Sequence, residues 1–84
     1  MAYWVYVLRS ARDGRTYTGS TRNLKKRLAE HSAGRVAATR SRRPVSLVYV
    51  EEFPTRALAV RRERYFKTPE GGVEKQRLLR GSAG

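Results

Sequence analysis

Arg27 and His31 lie on the predicted buried side of a predicted helix over Leu24–Ala33, where polar side chains are unexpected. At about 100° per residue, Arg27 falls roughly 60° from Leu24 on the predicted buried stripe, and His31 roughly 20°. An inward arginine could hold a phosphate through two hydrogen bonds, or it could form a structural ion pair. His31 could contact a phosphate or orient a neighbour, or be an ordinary half-buried histidine. The remaining charged residues are predicted on the solvent-facing side: Lys25, Lys26 and Glu30.

Glu63 is the candidate metal ligand. It lies on a second predicted helix, with apolar residues one turn before and after it and Lys67 four residues later. Mg²⁺ commonly binds one or two protein carboxylates and completes its octahedron with water and phosphate. The alternative is a simple Glu63–Lys67 pair, worth about 0.3–0.5 kcal/mol when exposed. Arg62 falls within the same apolar arc, where the sequence suggests no role for it.

Tyr6 and Tyr17 are candidate catalytic tyrosines. A phenol has a pKa of about 10 and is a poor base unless nearby cations lower that value. Close to Arg27 and a metal ion, a tyrosine could activate water, whereas the alternative is aromatic packing with the hydroxyl at the rim. If the loop of the hairpin that carries them has an even number of residues, both project from one face of the sheet.

The elements that position these groups follow from local patterns. The β-branched and aromatic run Tyr3–Leu8 predicts a strand covered on both faces, and Asp13-Gly14 predicts the turn of a hairpin. We expect an α+β fold in the order β-β-α-β-α-α, a small three-stranded antiparallel sheet flanked by three helices. Residues 1–81 form one predicted domain and 82–84 a flexible tail. The other predicted elements are strands at Arg15–Ser20 and Val45–Phe53, and helices from Thr55 to Lys67 and from Val73 to Leu79.

Composition narrows the classes of function. The 84 residues contain no cysteine, which excludes disulfides and thiolate metal sites, and a single histidine, which excludes a multi-histidine site. Seven scattered acids argue against a two-metal carboxylate cluster. Nineteen Lys and Arg give a net charge of +12, which favours a polyanion such as nucleic acid over anionic membrane. No signal peptide or spanning segment is predicted, so a cytoplasmic, or nucleoid-associated, location is expected.

Together these residues resemble the GIY-YIG nuclease superfamily. Its first motif is similar to Trp4-Val5-Tyr6 and its second to Tyr17-Thr18-Gly19, with tryptophan in place of glycine and threonine in place of isoleucine. The resemblance covers about residues 3 to 80. It continues, as in small stand-alone bacterial members, through Asn23-Leu24, Arg27-Leu28, His31, Arg42-Arg43-Pro44, Val48-Tyr49, Glu51, Ala59, Arg62-Glu63 and Lys67.

The resemblance implies hydrolysis of a DNA phosphodiester with one divalent metal ion. By resemblance, Tyr6 activates or positions the attacking water and Tyr17 holds the water and phosphate network. Arg27 stabilises the developing charge on phosphorus, and His31 has a supporting role. Glu63 is the implied ligand of Mg²⁺ or Mn²⁺.

We therefore expect a metal-dependent DNA endonuclease that is structure-selective or weakly sequence-selective. The alternative is a non-catalytic module that binds DNA, RNA or a ribosome-associated partner with the same fold. Substrate choice would come from the chain's own basic surface, from DNA shape or from a partner protein. The predicted nucleic-acid contacts are Gly19, Arg35, Arg40, Arg42, Arg43 and Lys67, most of them in the basic loop of residues 35–44.

Overall fold

The computed structural model of the protein describes residues 2–82, which form a three-stranded antiparallel sheet with helices on both faces. The predicted α+β class is confirmed. The strands are β1 (Tyr3–Ser10), β2 (Thr16–Thr21) and β3 (Val45–Phe53), and the helices are α1 (Leu24–Ser32), α2 (Ala37–Arg40), α3 (Arg56–Phe66) and α4 (Pro69–Ser82).

Strand β1 is the centre of the sheet, which has the order β2-β1-β3. Its residues Val5, Tyr6, Val7 and Leu8 are all at most 1% exposed. A strand that is buried on both faces reads as a continuous apolar run rather than an alternating one. The prediction of a strand covered on both sides is therefore confirmed.

The hairpin of β1 and β2 places the two candidate tyrosines on one face. The last register pair joins Arg9 to Thr16, which leaves an even number of residues between them. Leu8 pairs with Tyr17, and residues opposite each other in a ladder share a face. Since Tyr6 and Leu8 are two residues apart, Tyr6 and Tyr17 project from the same side of the sheet.

The two faces of the sheet pack against different helices. His31 of α1 contacts Tyr6 on the tyrosine face. On the opposite face, Val5 packs with Ala59 and Phe66 of α3 in the main core cluster. Burying a side chain such as Phe66 stabilises the fold by roughly 1.5–3 kcal/mol.

Local signals set the helix ends much as predicted. The side chain of Asn23 accepts a hydrogen bond from the Lys26 N–H, and Thr55 accepts one from the Leu58 N–H. These caps satisfy amide groups that the first turn of each helix leaves unpaired. Gly34 follows α1 with φ of +79°, in the left-handed region where glycine carries no steric penalty.

Two elements differ from the sequence prediction. Residues Ala37–Arg40, predicted as part of a loop, form the short helix α2. Helix α4 begins at Pro69 rather than near Val73, because proline is well tolerated in a first helical turn, where its missing N–H has no partner to lose. Ser82, expected in the tail, ends α4, whereas Ala83 and Gly84 of that predicted tail lie outside the described residues.

Arg62, which had no predicted role, joins β3, α3 and α4. Its guanidinium binds Glu51 at 2.8 Å and 3.1 Å and Glu74 at 2.9 Å, and it lies over the Phe66 ring at 4.4 Å from the centroid. Tyrosine hydroxyls donate to the same two carboxylates, from Tyr49 to Glu51 and from Tyr65 to Glu74. Arg62 is thus a structural residue whose position on the apolar arc is explained by its two acidic partners.

Candidate active site

Tyr6 lies directly over Gly19, its register partner on β2. A Cβ atom built on Gly19 would come within 2.5 Å of the Tyr6 hydroxyl oxygen and 3.2 Å of the Tyr17 ring. Only glycine leaves room for the phenol at this point of the sheet. Gly19 therefore sets the position of the Tyr6 hydroxyl over the β2 edge of the sheet.

A chain of hydrogen bonds runs from Tyr6 through His31 to Thr39. The Tyr6 hydroxyl oxygen is 2.8 Å from Nε2 of His31, and Nδ1 of His31 is 2.8 Å from the Thr39 hydroxyl oxygen. The three residues are 1%, 0% and 1% exposed. Burial, followed by the positive charge of Arg27, lowers the pKa of His31, so the ring is neutral at pH 7.

The direction of these bonds follows from the neighbouring donor. Burial raises the pKa of Tyr6 above its ordinary value, against the opposing effect of Arg27, so Tyr6 is a neutral phenol. An arginine can only donate, so the Tyr6 proton has His31 Nε2 as its acceptor. The proton of the neutral imidazole is then on Nδ1, where it is donated to Thr39.

Arg27 of α1 lies next to this chain of hydrogen bonds. It is half-buried, its charge acts on the pKa of Tyr6, and its Nη1 donates to Glu30 at 3.1 Å. The inward direction predicted for Arg27 agrees with these contacts. Glu30, predicted on the solvent-facing side, is instead half-buried because it pairs with Arg27.

Glu63 approaches the same strand from the other face of the sheet. One carboxylate oxygen accepts a 2.6 Å hydrogen bond from the Ser20 hydroxyl, and the other accepts a 2.8 Å hydrogen bond from Lys67. Burial would raise the pKa of Glu63, but the bonds from Lys67 and Ser20 outweigh it and hold the pKa below its usual value. Glu63 is therefore an ionised carboxylate at a partly buried position.

Tyr6 and Glu63 approach neighbouring residues of the edge strand β2 from opposite faces of the sheet. Tyr6 lies over Gly19 on one face, and Ser20, the next residue, points to the other and binds Glu63. The negative charge of Glu63 contributes to the raised pKa of Tyr6, so the carboxylate and the phenol lie within electrostatic reach. Because β2 is an edge strand, a ligand there would have access to both faces.

Tyr17 packs beside Tyr6 and His31. Its ring centroid is 5.2 Å from that of His31 and 6.4 Å from that of Tyr6, both in tilted arrangements. Tyr17 is half-buried, in contrast to the fully buried Tyr6. Of the two tyrosines, Tyr17 has more contact with solvent.

The two departures from the family motifs leave these groups in place. Thr18 projects to the face opposite the tyrosines, where it is 4% exposed and accepts a 3.4 Å hydrogen bond from Nζ of Lys75. Trp4 is half-buried and pairs with Thr21 and Glu52. Neither residue has a hydrogen bond to the Tyr6, Arg27 or Glu63 side chain among the contacts of residues 2–82.

The basic residues that are predicted to contact nucleic acid differ in their surroundings. Arg42 donates to Asp13 at 3.3 Å, and Arg43 donates to the backbone carbonyls of Ser32 and Arg40. Arg35 and Arg40 are exposed, and Lys67 is paired with Glu63. A role for these residues in nucleic-acid binding stays a prediction.

Glu63 fits a metal ion that needs one protein carboxylate. Within residues 2–82, no three His, Cys, Asp or Glu side chains lie together as a preformed metal cluster. An ionised, partly buried carboxylate with a polar neighbour is the donor that Mg²⁺ prefers when water and phosphate supply its other ligands. A bound ion would compete with Lys67 for Glu63.

Sequence reasoning missed Thr39 and Ser20. Thr39 lies in a segment without apolar periodicity, and only the folded chain brings its hydroxyl to His31, eight residues earlier. Ser20 was part of the motif region, yet its bond to Glu63 spans 43 positions. Its place on β2 did carry a usable signal, because strand alternation directs Ser20 to the face opposite Tyr17 and Gly19.

The chain is similar to several known proteins. A family model described as the GIY-YIG catalytic domain matches residues 2–76. A UPF0213 protein of Natronomonas pharaonis is 42% identical over 83 residues, which cover 98% of this chain and 95% of that protein. A UPF0213 protein of Streptococcus pyogenes is 51% identical over 65 residues, or 76% of this chain and 70% of that one.

A solved structure shows the same fold. The solution NMR structure of a UPF0213 protein from Bacillus halodurans has a TM-score of 0.58 and 32% sequence identity, and the match covers 93% of this chain and 85% of that one. Among the described residues, no helix is both long and apolar enough to cross a membrane.

Proposed function

Because this chain belongs to the GIY-YIG nuclease family, whose members are generally metal-dependent, we propose that it is a DNA endonuclease that uses Mg²⁺ or Mn²⁺. The observation that carries the proposal is the buried hydrogen bond between Tyr6 and His31, with the positive charge of Arg27 close to the same phenol. Burying three polar side chains is costly unless each is satisfied, and this arrangement gives them a chemical use.

In this proposal Tyr6 and His31 act together as the base. As Tyr6 takes a proton from water, its own O–H bond breaks and that proton moves to Nε2 of His31. The resulting hydroxide forms the new P–O bond, and the bond from phosphorus to the leaving oxygen breaks. The leaving oxygen takes up a proton from solvent, and the His31 imidazolium afterwards returns its proton to solvent. Since Tyr6 is 1% exposed, this step requires that one water molecule enter between the phenol oxygen and the phosphate held by Arg27.

Arg27 is the proposed phosphate ligand. Its fixed donors include groups beyond the one that binds Glu30, and a guanidinium matches phosphate geometry. The negative charge on the phosphate grows in the transition state, so Arg27 would bind the transition state more tightly than the ground state. This difference in binding is what accelerates a reaction. Tyr17, more exposed than Tyr6, is placed to hold the water and the phosphate.

Glu63 is the proposed ligand of the metal ion. When bound, a divalent ion would neutralise phosphate charge and polarise the phosphoryl oxygen. Ser20 holds one oxygen of Glu63 in position, and Lys67 pairs with the other oxygen, where a divalent ion would compete with it. Without such an ion, a carboxylate beside a phosphate weakens binding by repulsion.

The test is cleavage of supercoiled, flapped and branched DNA with Mg²⁺, Mn²⁺ or chelator. We expect Tyr6→Phe to reduce cleavage by roughly 10²–10⁴-fold, the range that general base catalysis supplies. Tyr65→Phe is the matched control, since it removes one hydroxyl that binds Glu74 on the other face of the sheet. A wild-type protein that binds DNA and cuts none of these substrates with either metal would favour the non-catalytic binding module instead.

A further inference from the structure

Two open grooves flank the β2 edge, and they share Ser20, Thr21 and Arg22. The first, here called the α1 groove, has a volume of about 320 Å³ and is completed by residues of α1 and its cap, including Arg27. The second, the α3 groove, has a volume of about 380 Å³. Its remaining walls are Tyr3, Arg56, Ala59 and Val60.

The α3 groove has the chemistry of a nucleotide site. Ala59 and Val60 give it an apolar floor, Tyr3 an aromatic wall, and Arg22 and Arg56 two cations. No carboxylate is among the described residues that line it. An apolar surface beside arginines suits a sugar or base together with its phosphate, the combination found in sites for single strands.

The two arginines are available to a ligand. Arg22 and Arg56 are exposed, and within residues 2–82 neither forms an ion pair with an acidic side chain. Arg42 and Arg43 of the basic loop, by contrast, are occupied by Asp13 and by backbone carbonyls. Arg35 and Arg40 of that loop are exposed as well. What distinguishes Arg22 and Arg56 is that both line the α3 groove, beside its apolar floor.

Ser20 fixes this groove next to the candidate metal ligand. It lines both grooves, and its hydroxyl donates to Glu63. A strand whose phosphate is held by Arg27 in the α1 groove would pass Glu63 and continue into the α3 groove. The geometry points to the α3 groove as the binding site for an unpaired nucleotide that flanks the cleaved phosphate, with Arg22 and Arg56 as its phosphate ligands.

This inference rests on the proposed function, since it names the substrate class as DNA with an unpaired strand at the cleavage point. A duplex keeps its bases paired away from the backbone, so its nucleosides could not enter the groove and its phosphates would not be drawn to the two arginines that line it. Single-stranded DNA has no such restriction. We therefore expect the contribution of the groove to be confined to unpaired strands.

The experiment measures binding of the full chain, in chelator, to two fluorescent probes: a twelve-nucleotide thymidine strand and a blunt duplex. Arg22→Gln and Arg56→Gln should each weaken binding of the single strand about tenfold. Each should also reduce the slope of the logarithm of the binding constant against the logarithm of salt concentration by about one. Binding of the duplex should change less than about twofold for either variant. Arg61→Gln is the matched control, because Arg61 is exposed on the same helix as Arg56 and does not line the groove.

Equal losses on both probes, or losses no larger than that of Arg61→Gln, would overturn the inference. Thermal melting of each variant verifies that these surface changes leave the fold intact. Because binding is measured without metal, the result is separable from catalysis. A protein that cuts DNA but shows no effect of Arg22 and Arg56 retains the proposed function without the groove, and one that shows the effect but never cuts retains the groove without the enzyme.

Discussion

The Tyr6 hydroxyl lies 2.8 Å from Nε2 of His31, and both side chains are buried between α1 and the sheet. Arg27 lies near the same phenol and can only donate, so His31 is the acceptor of the Tyr6 proton. This relationship places a half-buried helix arginine, the single histidine and a strand tyrosine at one point of the fold. It also makes Thr39, at the far end of the chain of hydrogen bonds, the acceptor of the His31 Nδ1 proton.

Replacing Thr39 tests that assignment. Thr39→Val removes the acceptor of the Nδ1 proton, so we expect the tautomer of His31 to change and any DNA cleavage to fall roughly tenfold or more within the range of base catalysis. Thr39→Ser keeps the hydroxyl and should retain both properties. The ¹⁵N shifts of the His31 ring report the tautomer directly, and an Nδ1-protonated ring in Thr39→Val would show that Thr39 does not set it.

The lowered pKa of His31 predicts a loss of stability in acid. The unfolded chain takes up a proton near pH 6.5, whereas the folded chain does so only at lower pH, so unfolding is favoured as the pH falls below about 6.5. The contribution is fully present above that value. Urea unfolding between about pH 7 and pH 5 should show the decline in the wild type and a shallower one in His31→Gln. Parallel curves for the two proteins would contradict the neutral, buried histidine.

Gly19→Ala should displace Tyr6. The added Cβ would lie 2.5 Å from the phenol oxygen, and the ring cannot swing freely because it is buried and bound to His31. We expect a stability loss of about 1–3 kcal/mol, typical of overpacking, together with loss of cleavage. Gly81→Ala serves as control, since nothing lies within 4 Å of a Cβ there. Unchanged stability of the Gly19→Ala protein would show that Tyr6 and Gly19 are less tightly packed than described.

Removing Arg62 should reduce the stability of the fold, because Arg62 is a structural residue. It takes no part in the proposed reaction. Arg62→Met leaves Glu51 and Glu74 without their cation, and we expect a cost of about 1–3 kcal/mol after allowance for partial exposure. Denaturant unfolding measures this cost, with Arg61→Met as a control on the exposed side of the same helix. A cost equal to that of the control would mean that the network adds no stability.

The sequence predicts the strands well, because strands follow local periodicity. It makes the common face of Tyr6 and Tyr17 depend on whether the hairpin loop has an even number of residues, and the structure supplies that number. The role of Arg62 depends on Glu51 and Glu74, which meet only after β3, α3 and α4 have packed. For the same reason Thr39 could not be identified, since no sequence rule connects α2 with His31. The position of Glu63 was predicted, but its bond to Ser20 required the edge of β2 to be known.

The most direct test of the account is DNA cleavage by Glu63→Gln in the presence of Mg²⁺. This change keeps the shape of the side chain and removes the charge that a metal ion requires. Glu52→Gln is the matched control, because Glu52 is an exposed carboxylate on β3. The account predicts that Glu63→Gln binds DNA at least as tightly as the wild type and cuts it at least about 100-fold more slowly, while Glu52→Gln cuts normally. Cleavage by Glu63→Gln at the wild-type rate would contradict it.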